Sequence, residues 1–255
     1  MTPNLQPPET ETDHLAGWMG HLVELRTRIV RASVAVLVVF LILFYWRNQI
    51  FGFFSAPMLA SLPEGARMIS TEVTSNVFVP IKFALWVAFV IALPVVLYQV
   101  WAFVAPGLYA REKKLVVPVV TSSYLLFLIG TAFAYFLVFP TVFHFMAQIT
   151  PLGVEMATDI DNYLSFGLTM FLAFGLAFEV PVVVVVLVKL GFVSVAQLKN
   201  ARPYMTVGAF AVSALVTPPD AVSMLLLAVP LVILYEVGVF VARWVAPKID
   251  LDTEN

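Results

Sequence analysis

Six apolar stretches run through the chain, and they limit its fold more than any other feature. A helix of about 20 mostly apolar residues crosses the hydrocarbon core of a bilayer. Short gaps separate the stretches, so the 255-residue sequence leaves no room for a separate soluble domain. It predicts a single all-α integral membrane domain at 15–245, with six transmembrane helices at about 29–46, 80–103, 115–139, 164–188, 203–217 and 221–241.

The composition agrees with a membrane protein. Charged residues make up 12% of the chain, and the mean hydropathy is +0.96. Soluble domains carry about 25% charged residues, so this chain has too few charges for a water-facing surface. It has no cysteine, which excludes disulfides and thiolate catalysis, and its net charge of −2 does not favour a nucleic-acid partner. The polar tails, 1–14 and 246–255, are expected to be disordered and flexible, respectively.

The predicted spans are unequal. The third is predicted to end at Pro140, because proline disrupts a helix interior. The fifth is short, since Arg202 precedes it and Pro218 follows it. One alternative is a re-entrant hairpin over 203–241, which would leave four full spans. The aromatic run 50–54 in the first loop suggests an interfacial helix or a cap on the outer face.

The basic residues predict the orientation. Cytoplasmic segments of membrane proteins are enriched in lysine and arginine. With the N-terminus inside, 11 of the 14 basic residues would lie on the cytoplasmic side and three on or near the opposite side. The N-terminus, the second and fourth loops and the C-terminus are therefore predicted to be cytoplasmic. The three residues on the other side are Arg47, Arg67 and Lys82.

Two glutamates are predicted to lie at the cytoplasmic face. Glu24 belongs to an amphipathic helix before the first span and could simply pair with Arg28 four residues later. Glu112 stands among basic residues in the second loop and could simply pair with Lys113 or Arg111. The functional interpretation is that both form one acidic pocket. A carboxylate accepts two parallel hydrogen bonds from a guanidinium, so such a pocket would suit a pair of arginines.

Two further glutamates fall inside predicted spans. Glu179 lies well inside the fourth, where a charged side chain costs about 2.5 kcal/mol or more, and intramembrane carboxylates are commonly functional or paired. The alternative is a protonated Glu179 bonded to a carbonyl freed by Pro181. Glu236 lies nearer the cytoplasmic end of the sixth span, close in sequence to Arg243, and snorkelling could account for it.

No enzymatic or metal-binding motif is recognisable. His21 and His144 flank membrane segments without the ligand spacing of a metal site. The sequence contains no nucleophile motif, phosphate loop or metalloprotease motif. We therefore expect neither an enzyme nor a bound cofactor.

Several separate segments together carry a family resemblance. They are 21–28 (HLVELRTR), 55–57 (SAP), 98–109 (YQVWAFVAPGLY) with Glu112, 133–136 (FAYF), 178–181 (FEVP), 202–204 (RPY) and 217–220 (TPPD). In order and at compatible spacing, they resemble the TatC family, the multispanning receptor of the twin-arginine translocase. The resemblance covers roughly 20–245.

The resemblance implies a fold and a function. TatC-like proteins are concave, glove-like bundles in the bacterial cytoplasmic (inner) membrane. They bind signal peptides with consecutive arginines and recruit single-span TatA- and TatB-type subunits into a multi-subunit complex, in which self-association is expected. Folded cargo proteins then cross the membrane, driven by the proton gradient.

The resemblance also assigns residues to roles. Glu24 and Glu112 would receive the arginine pair, and Arg26, Arg28 and Phe103 would shape that site. Glu179 would line the concave face as an intramembrane polar group. Pro57 and Tyr135 match family positions linked to activity, without a mechanism that the sequence reveals.

The fifth and sixth spans would form the docking edge for the single-span partners. Thr217 and Asp220 belong to the segment that joins them. Family members often carry a polar residue four positions after this aspartate, where this chain has Met224. A polar cluster with a partner helix would therefore depend more on Thr217.

Two other classes of function fit the sequence less well. A secondary transporter could use Glu179 as its proton or substrate site, but the spans contain few other polar groups to complete a midplane cavity. A membrane-embedded enzyme would need a nucleophile–base pair or a metal motif.

Overall fold

The computed structural model describes residues 11–61, 68–104, 116–150, 158–217 and 220–245. These residues are almost entirely helical, as predicted. The helices are α1 (Glu11–Leu43), α2 (Arg47–Ser61), α3 (Ser75–Val104), α4 (Val116–Phe133), α5 (Phe139–Ile149), α6 (Ile160–Lys189), α7 (Val195–Val216) and α8 (Ala221–Val245).

Two of the predicted spans belong to longer helical segments. A 3-10 turn, Phe44–Trp46, joins α1 to α2, and a π turn, Ala134–Val138, joins α4 to α5. The prediction that the third span ends at Pro140 is wrong, because the helical segment continues to Ile149. The preceding π turn offers a physical reason: its wider spacing can accommodate a proline ring that would clash in a regular α-helix.

Five helical segments are long and apolar enough to cross a membrane. The sixth spanning helix is α7, whose 22 residues extend about 33 Å. Its early turns carry Lys199 and Arg202, which lower its hydropathy. Helices α7 and α8 are shorter than the other four spans, as predicted. The 25 residues of α8 are long and apolar enough to cross the membrane alone, which favours six spans over the re-entrant alternative. The five apolar segments are Leu22–Ala56, Ser75–Phe103, Val116–Ile149, Ile160–Lys189 and Ala221–Val245.

The spanning helices pack in a row. Helix α1 packs on α3, α3 on α4, α4 on α6, α6 on α8, and α8 on α7. Helix α3 also contacts α6, while α2 packs against α3 and α5. Most contacts of the two outermost helices, α1 and α7, are with a single neighbour. These helices therefore leave the largest unpaired faces.

Aromatic side chains form the centre of the main core. Phe54 of α2 is fully buried and stacks on Phe83 of α3 with ring centroids 4.2 Å apart. Tyr163 and Phe171 of α6 also contact Phe54, at 4.8 and 5.6 Å between centroids. The predicted interfacial run 50–54 is thus helical, with one of its phenylalanines in the core.

A clamp at one end of the bundle joins the segment before α3 to the start of α6. Ile69 pairs with Asp159 in a parallel bridge, and Ile160 N–H donates to the Ile69 carbonyl at 2.9 Å. Asp159 Oδ2 accepts from the backbone N–H and the hydroxyl of Thr71, at 2.9 and 2.8 Å. Its Oδ1 caps α6 through Asp161 N–H and Asn162 N–H. This carboxylate thereby links segments 88 residues apart.

Candidate functional site

Glu24 is engaged by an arginine of its own helix. Arg28 Nε donates to Glu24 Oε1 at 2.9 Å, and Nη2 donates to the same oxygen. The two residues are four positions apart, as the sequence suggests for a simple ion pair. The Glu24 side chain nevertheless remains 41% exposed. The carboxylate is therefore set up to accept a guanidinium and is accessible from outside the helix.

The other predicted pocket residues are described in part. Arg26 is exposed on α1, and Phe103 is half-buried at the end of α3. The start of α3 packs on α2 through Phe83, so its far end runs back towards the start of α1. Glu24, Arg26, Arg28 and Phe103 thus lie at the same end of the bundle. Glu112 lies outside the described residues.

Glu179 is half-buried on α6, and its Oε1 is buried without a hydrogen-bond partner among the described residues. The alternative of a bond from Glu179 to a freed carbonyl is not seen at this oxygen. Gly175 of α6 lies against the Phe127 ring of α4, so Ser123, one turn before Phe127, faces the turn that carries Glu179. The Ser123 Oγ is itself fully buried and has no hydrogen-bond partner among the residues that the structure describes.

Tyr135 lies in the π turn and contacts α2. Its hydroxyl donates to the Phe53 carbonyl at 2.7 Å, and its ring stacks on the Phe53 ring at 5.5 Å between centroids. The sequence does not reveal this contact, because the two residues are 82 positions apart. Pro57 lies in α2, four residues after Phe53. The Pro57 side chain lies outside the described part of the structure.

The predicted docking residues lie at the junction of α7 and α8. Thr217 is buried, and its hydroxyl donates to the Ser213 carbonyl of its own helix at 2.8 Å. Asp220 Oδ1 accepts from Ser223 N–H at 2.7 Å and so caps α8. Met224 is half-buried one turn later. Thr217 and Asp220 thus serve the ends of their helices, and Asp220 Oδ2 is buried without a partner among the described residues.

Glu236 has a partner that the sequence analysis missed. Arg202 Nη2 of α7 donates to Glu236 Oε2 of α8 at 2.6 Å. Proximity in sequence had pointed to Arg243 instead. The sequence did contain one signal for this pair: Arg202 lies at the predicted cytoplasmic end of the fifth span, next to the sixth span that carries Glu236. The next residue, Tyr235, is buried and donates its hydroxyl to the Leu198 carbonyl of α7 at 2.8 Å.

The described residues contain no group of three histidine, cysteine or acidic side chains that could hold a metal ion. His144 instead contacts Gln148 on its own helix, with 2.9 Å between Nε2 atoms. The His21 side chain lies outside the described part of the structure.

Residues 20–230 match the family model described as Sec-independent protein translocase protein (TatC). The TatC protein of Escherichia coli (strain K12) is 51% identical over 228 residues, which cover 89% of this chain and 88% of that protein. The TatC protein of Azotobacter chroococcum mcd 1 is 53% identical and covers 87% of each chain. The TatC protein of Aquifex aeolicus (strain VF5) is 39% identical and covers 89% of this chain and 95% of its own.

The fold also matches a solved structure. A crystal structure of the twin-arginine translocase receptor TatC superposes with a TM-score of 0.77 at 40% sequence identity. The match covers 88% of this chain and 99% of the crystallised chain. Sequence and fold therefore agree over most of the chain. This multi-pass membrane protein belongs to the TatC family, a component of the Sec-independent protein translocase.

Proposed function

We propose that this protein is the receptor subunit of a twin-arginine translocase in the bacterial inner membrane. It binds signal peptides with consecutive arginines at Glu24 and Glu112, on the cytoplasmic face. It recruits single-span TatA- and TatB-type subunits, and the complex exports folded cargo with energy from the proton gradient. The crystallised relative of similar fold is described as the twin-arginine translocase receptor, which supports this assignment.

The Glu24–Arg28 pair is the observation that carries the proposal. Arg28 already places two guanidinium nitrogens on one Glu24 oxygen. An incoming arginine can take over this contact without leaving a carboxylate unpaired at any stage. Although Arg28 is only 20% exposed, the Glu24 side chain is 41% exposed, and ion pairs open to solvent contribute only about 0.2–1 kcal/mol, so exchanging one guanidinium for another costs little. The positive charges of Arg26 and Arg31 would repel the arginines of a signal peptide. A second acid, Glu112, would offset this repulsion and complete the proposed pocket.

The distribution of positive charge supports the proposed orientation. Both termini face the cytoplasm in this assignment, because 11 of the 14 basic residues then lie on that side. Glu24 and Phe103 would then lie on the face where a newly made cargo protein arrives.

The outer face of α7 supports partner docking. Tyr204, Val207 and Leu215 are 80%, 70% and 87% exposed, and α7 packs chiefly against α8. A single-span helix could cover this face by van der Waals packing, which drives helix association in lipid. Thr217, Asp220 and Met224 would lie at one end of the contact. Since the Thr217 hydroxyl is bonded within its helix, we expect the docking contact to be mainly apolar.

Crosslinking to a signal peptide tests the pocket. A photo-crosslinking peptide with an arginine pair is expected to label the wild type strongly and the Glu24→Gln and Glu112→Gln variants weakly. The matched control is Glu72→Gln, which removes an exposed acid elsewhere in the chain. A Lys-Lys peptide should label all of them weakly. Equal labelling of wild type and both pocket variants by the Arg-Arg peptide would refute the pocket.

Cysteine crosslinking tests the docking face. The chain has no cysteine, so a single introduced thiol reports one position. Leu215→Cys on α7 is expected to crosslink to a cysteine in the span of a TatB-type partner. Leu125→Cys on α4, which is also exposed, serves as the control. Crosslinking of equal yield at both positions would show that α7 is not the docking face.

A further inference from the structure

Ser123 is one of four buried hydroxyl side chains of the described helices whose oxygen has no hydrogen-bond partner, the others being Ser75, Thr131 and Ser223. In a helix, serine and threonine commonly donate to the carbonyl three or four residues earlier. Ser122, Thr169 and Ser213 do so here, at 2.9, 2.8 and 2.7 Å. Ser123 is fully buried, yet its hydroxyl donates to no group with normal geometry in the described structure. Leaving a buried hydroxyl unbonded is costly, so this hydroxyl calls for an explanation.

The packing of α4 on α6 places Ser123 opposite Glu179. A Cβ atom at Gly130 would lie 2.5 Å from the Phe174 carbonyl oxygen, and one at Gly175 would clash with the Phe127 ring. These two contacts show that α4 and α6 are antiparallel, so that residues earlier in α4 face residues later in α6. One further turn in each direction brings Ser123 to Glu179. Both the Ser123 Oγ and the Glu179 Oε1 are buried and unpartnered among the described residues.

We propose that Ser123 is the positioning residue for Glu179 and that its hydroxyl holds the carboxyl group at the α4–α6 interface. This inference rests on the proposed function, because the effect of Glu179 on cargo export can be measured only if the protein is a translocase subunit. The helix register places the two side chains at facing positions, where both oxygens are buried. Rotation of either side chain closes a hydrogen bond, and a hydroxyl rotor can adjust to a protonated or an ionised carboxyl group.

The surrounding packing keeps the pair together. Gly130 and Gly175 bring the α4 and α6 backbones close, so the two helices cannot easily slide or rotate past each other. Thr131 also has an unpartnered buried hydroxyl, but it lies two turns from Ser123 along α4. In the same register, Thr131 faces residues of α6 that lie about two turns before Glu179. Ser123 is therefore the hydroxyl that the packing assigns to this carboxyl group.

Infrared spectroscopy tests the contact directly. The difference spectrum between wild type and Glu179→Gln isolates the carboxyl band of Glu179. Ser123→Ala is expected to shift this band, and Ser123→Thr is expected to restore it. Ser122→Ala is the matched control, because Ser122 is adjacent but bonded to the Val119 carbonyl. A Glu179 band that is unchanged in Ser123→Ala would overturn the proposal.

Cargo export provides a second measurement. Loss of one hydrogen bond corresponds to a change of about 2- to 10-fold, so Ser123→Ala should lower export by about that factor. In a chain that already carries Glu179→Gln, Ser123→Ala should lower export by a much smaller factor. Equal effects of Ser123→Ala in both backgrounds would overturn the proposal. Full export in Glu179→Gln would instead refute the role of Glu179, and the infrared band would still report the positioning.

A crosslink covers the case in which Ser123→Ala fails to fold. The double variant Ser123→Cys and Glu179→Cys contains the only two thiols of the chain. A disulfide forms when Cα atoms lie about 4.4–6.8 Å apart, and this pair is expected to oxidise readily in the membrane. The control pair Ser122→Cys and Glu179→Cys should oxidise poorly. Equal yields from the two pairs would overturn the proposed contact.

Discussion

Arg202 and Glu236 join α7 to α8 through a contact of 2.6 Å between Nη2 and Oε2. The residues lie 34 positions apart and form an ion pair at the outer edge of the helix row. A second contact, from the Tyr235 hydroxyl to the Leu198 carbonyl, lies beside it. These two polar contacts add to the apolar packing of α7 on α8, which involves Leu198 and Val239.

Removing either partner of this ion pair is expected to loosen α7. Both side chains are more than 40% exposed, so the loss should be modest, about 0.2–1 kcal/mol. Thermal unfolding in detergent should show a small decrease in Tm for Glu236→Ala. The exchanged pair, Arg202→Glu with Glu236→Arg, should recover much of it. A double exchange that is less stable than both single variants would contradict a direct contact.

Tyr135→Phe is expected to destabilise the packing of α2 while leaving the ring contact in place. The variant removes the 2.7 Å bond to the Phe53 carbonyl, at a cost of about 0.5–1.5 kcal/mol. Hydrogen exchange should become faster in α2, and Tm should fall. Tyr204→Phe is the matched control, because Tyr204 is 80% exposed. Similar behaviour of both variants would mean that the Phe53 bond contributes nothing.

Gly130→Ala and Gly208→Ala are expected to change stability in opposite directions. At Gly130 the new methyl group would meet the Phe174 backbone, which cannot move aside cheaply, so we expect a loss of about 1–3 kcal/mol. At Gly208 it would meet open space, so reduced backbone entropy of the unfolded chain should stabilise the helix by about 0.4–1 kcal/mol. Thermal unfolding of the two variants checks the difference in sign. Two decreases of equal size would contradict the tight approach of α4 and α6.

The clamp at Asp159 is expected to weaken only in strong acid. The backbone N–H and the hydroxyl of Thr71 lower the pKa of Asp159 from 3.8 to about 2. A lowered pKa in the folded state means that the ionised carboxylate stabilises the fold. This contribution is complete above about pH 4 and disappears as the pH falls through 2.

The comparison of wild type with Asp159→Asn measures that contribution. Wild type should be more stable at neutral pH, with a constant difference in Tm down to about pH 4 and a shrinking difference below it. Asp161→Asn is the control, because it removes the Lys82 ion pair without touching the clamp. A Tm difference that already shrinks between pH 7 and pH 5 would contradict the lowered pKa.

Much of the fold could be predicted from hydropathy. The helical membrane fold was predictable because burying about 20 apolar residues in a helix satisfies every backbone group inside lipid. Helix ends were less predictable. Pro140 suggests an end, yet the segment continues to Ile149 after the π turn. Proline can remain within a membrane helix where a local change of hydrogen-bond pattern relieves its clash, and nothing in the local sequence announces that change.

The candidate residues were predictable, but most of their partners were not. Glu24 and Arg28 lie four residues apart on one helix, so their pairing could be read directly. Glu179 attracts attention through its depth alone. Helix faces are difficult to read from a membrane sequence, because lipid and protein interior are both apolar and no clear periodicity separates them.

The sequence by itself determined that this protein crosses a membrane in helices and which carboxylates are unusual there. The tertiary structure decided what those groups and their neighbours face. It joined Asp159 to Thr71, Tyr135 to Phe53 and Glu236 to Arg202, across 88, 82 and 34 residues. The physical reason is that a polar group in an apolar medium must find a partner wherever packing provides one. The position of that partner depends on how closely the helices approach each other. Gly130 and Gly175, for example, allow the close contact of α4 and α6 that places Ser123 opposite Glu179.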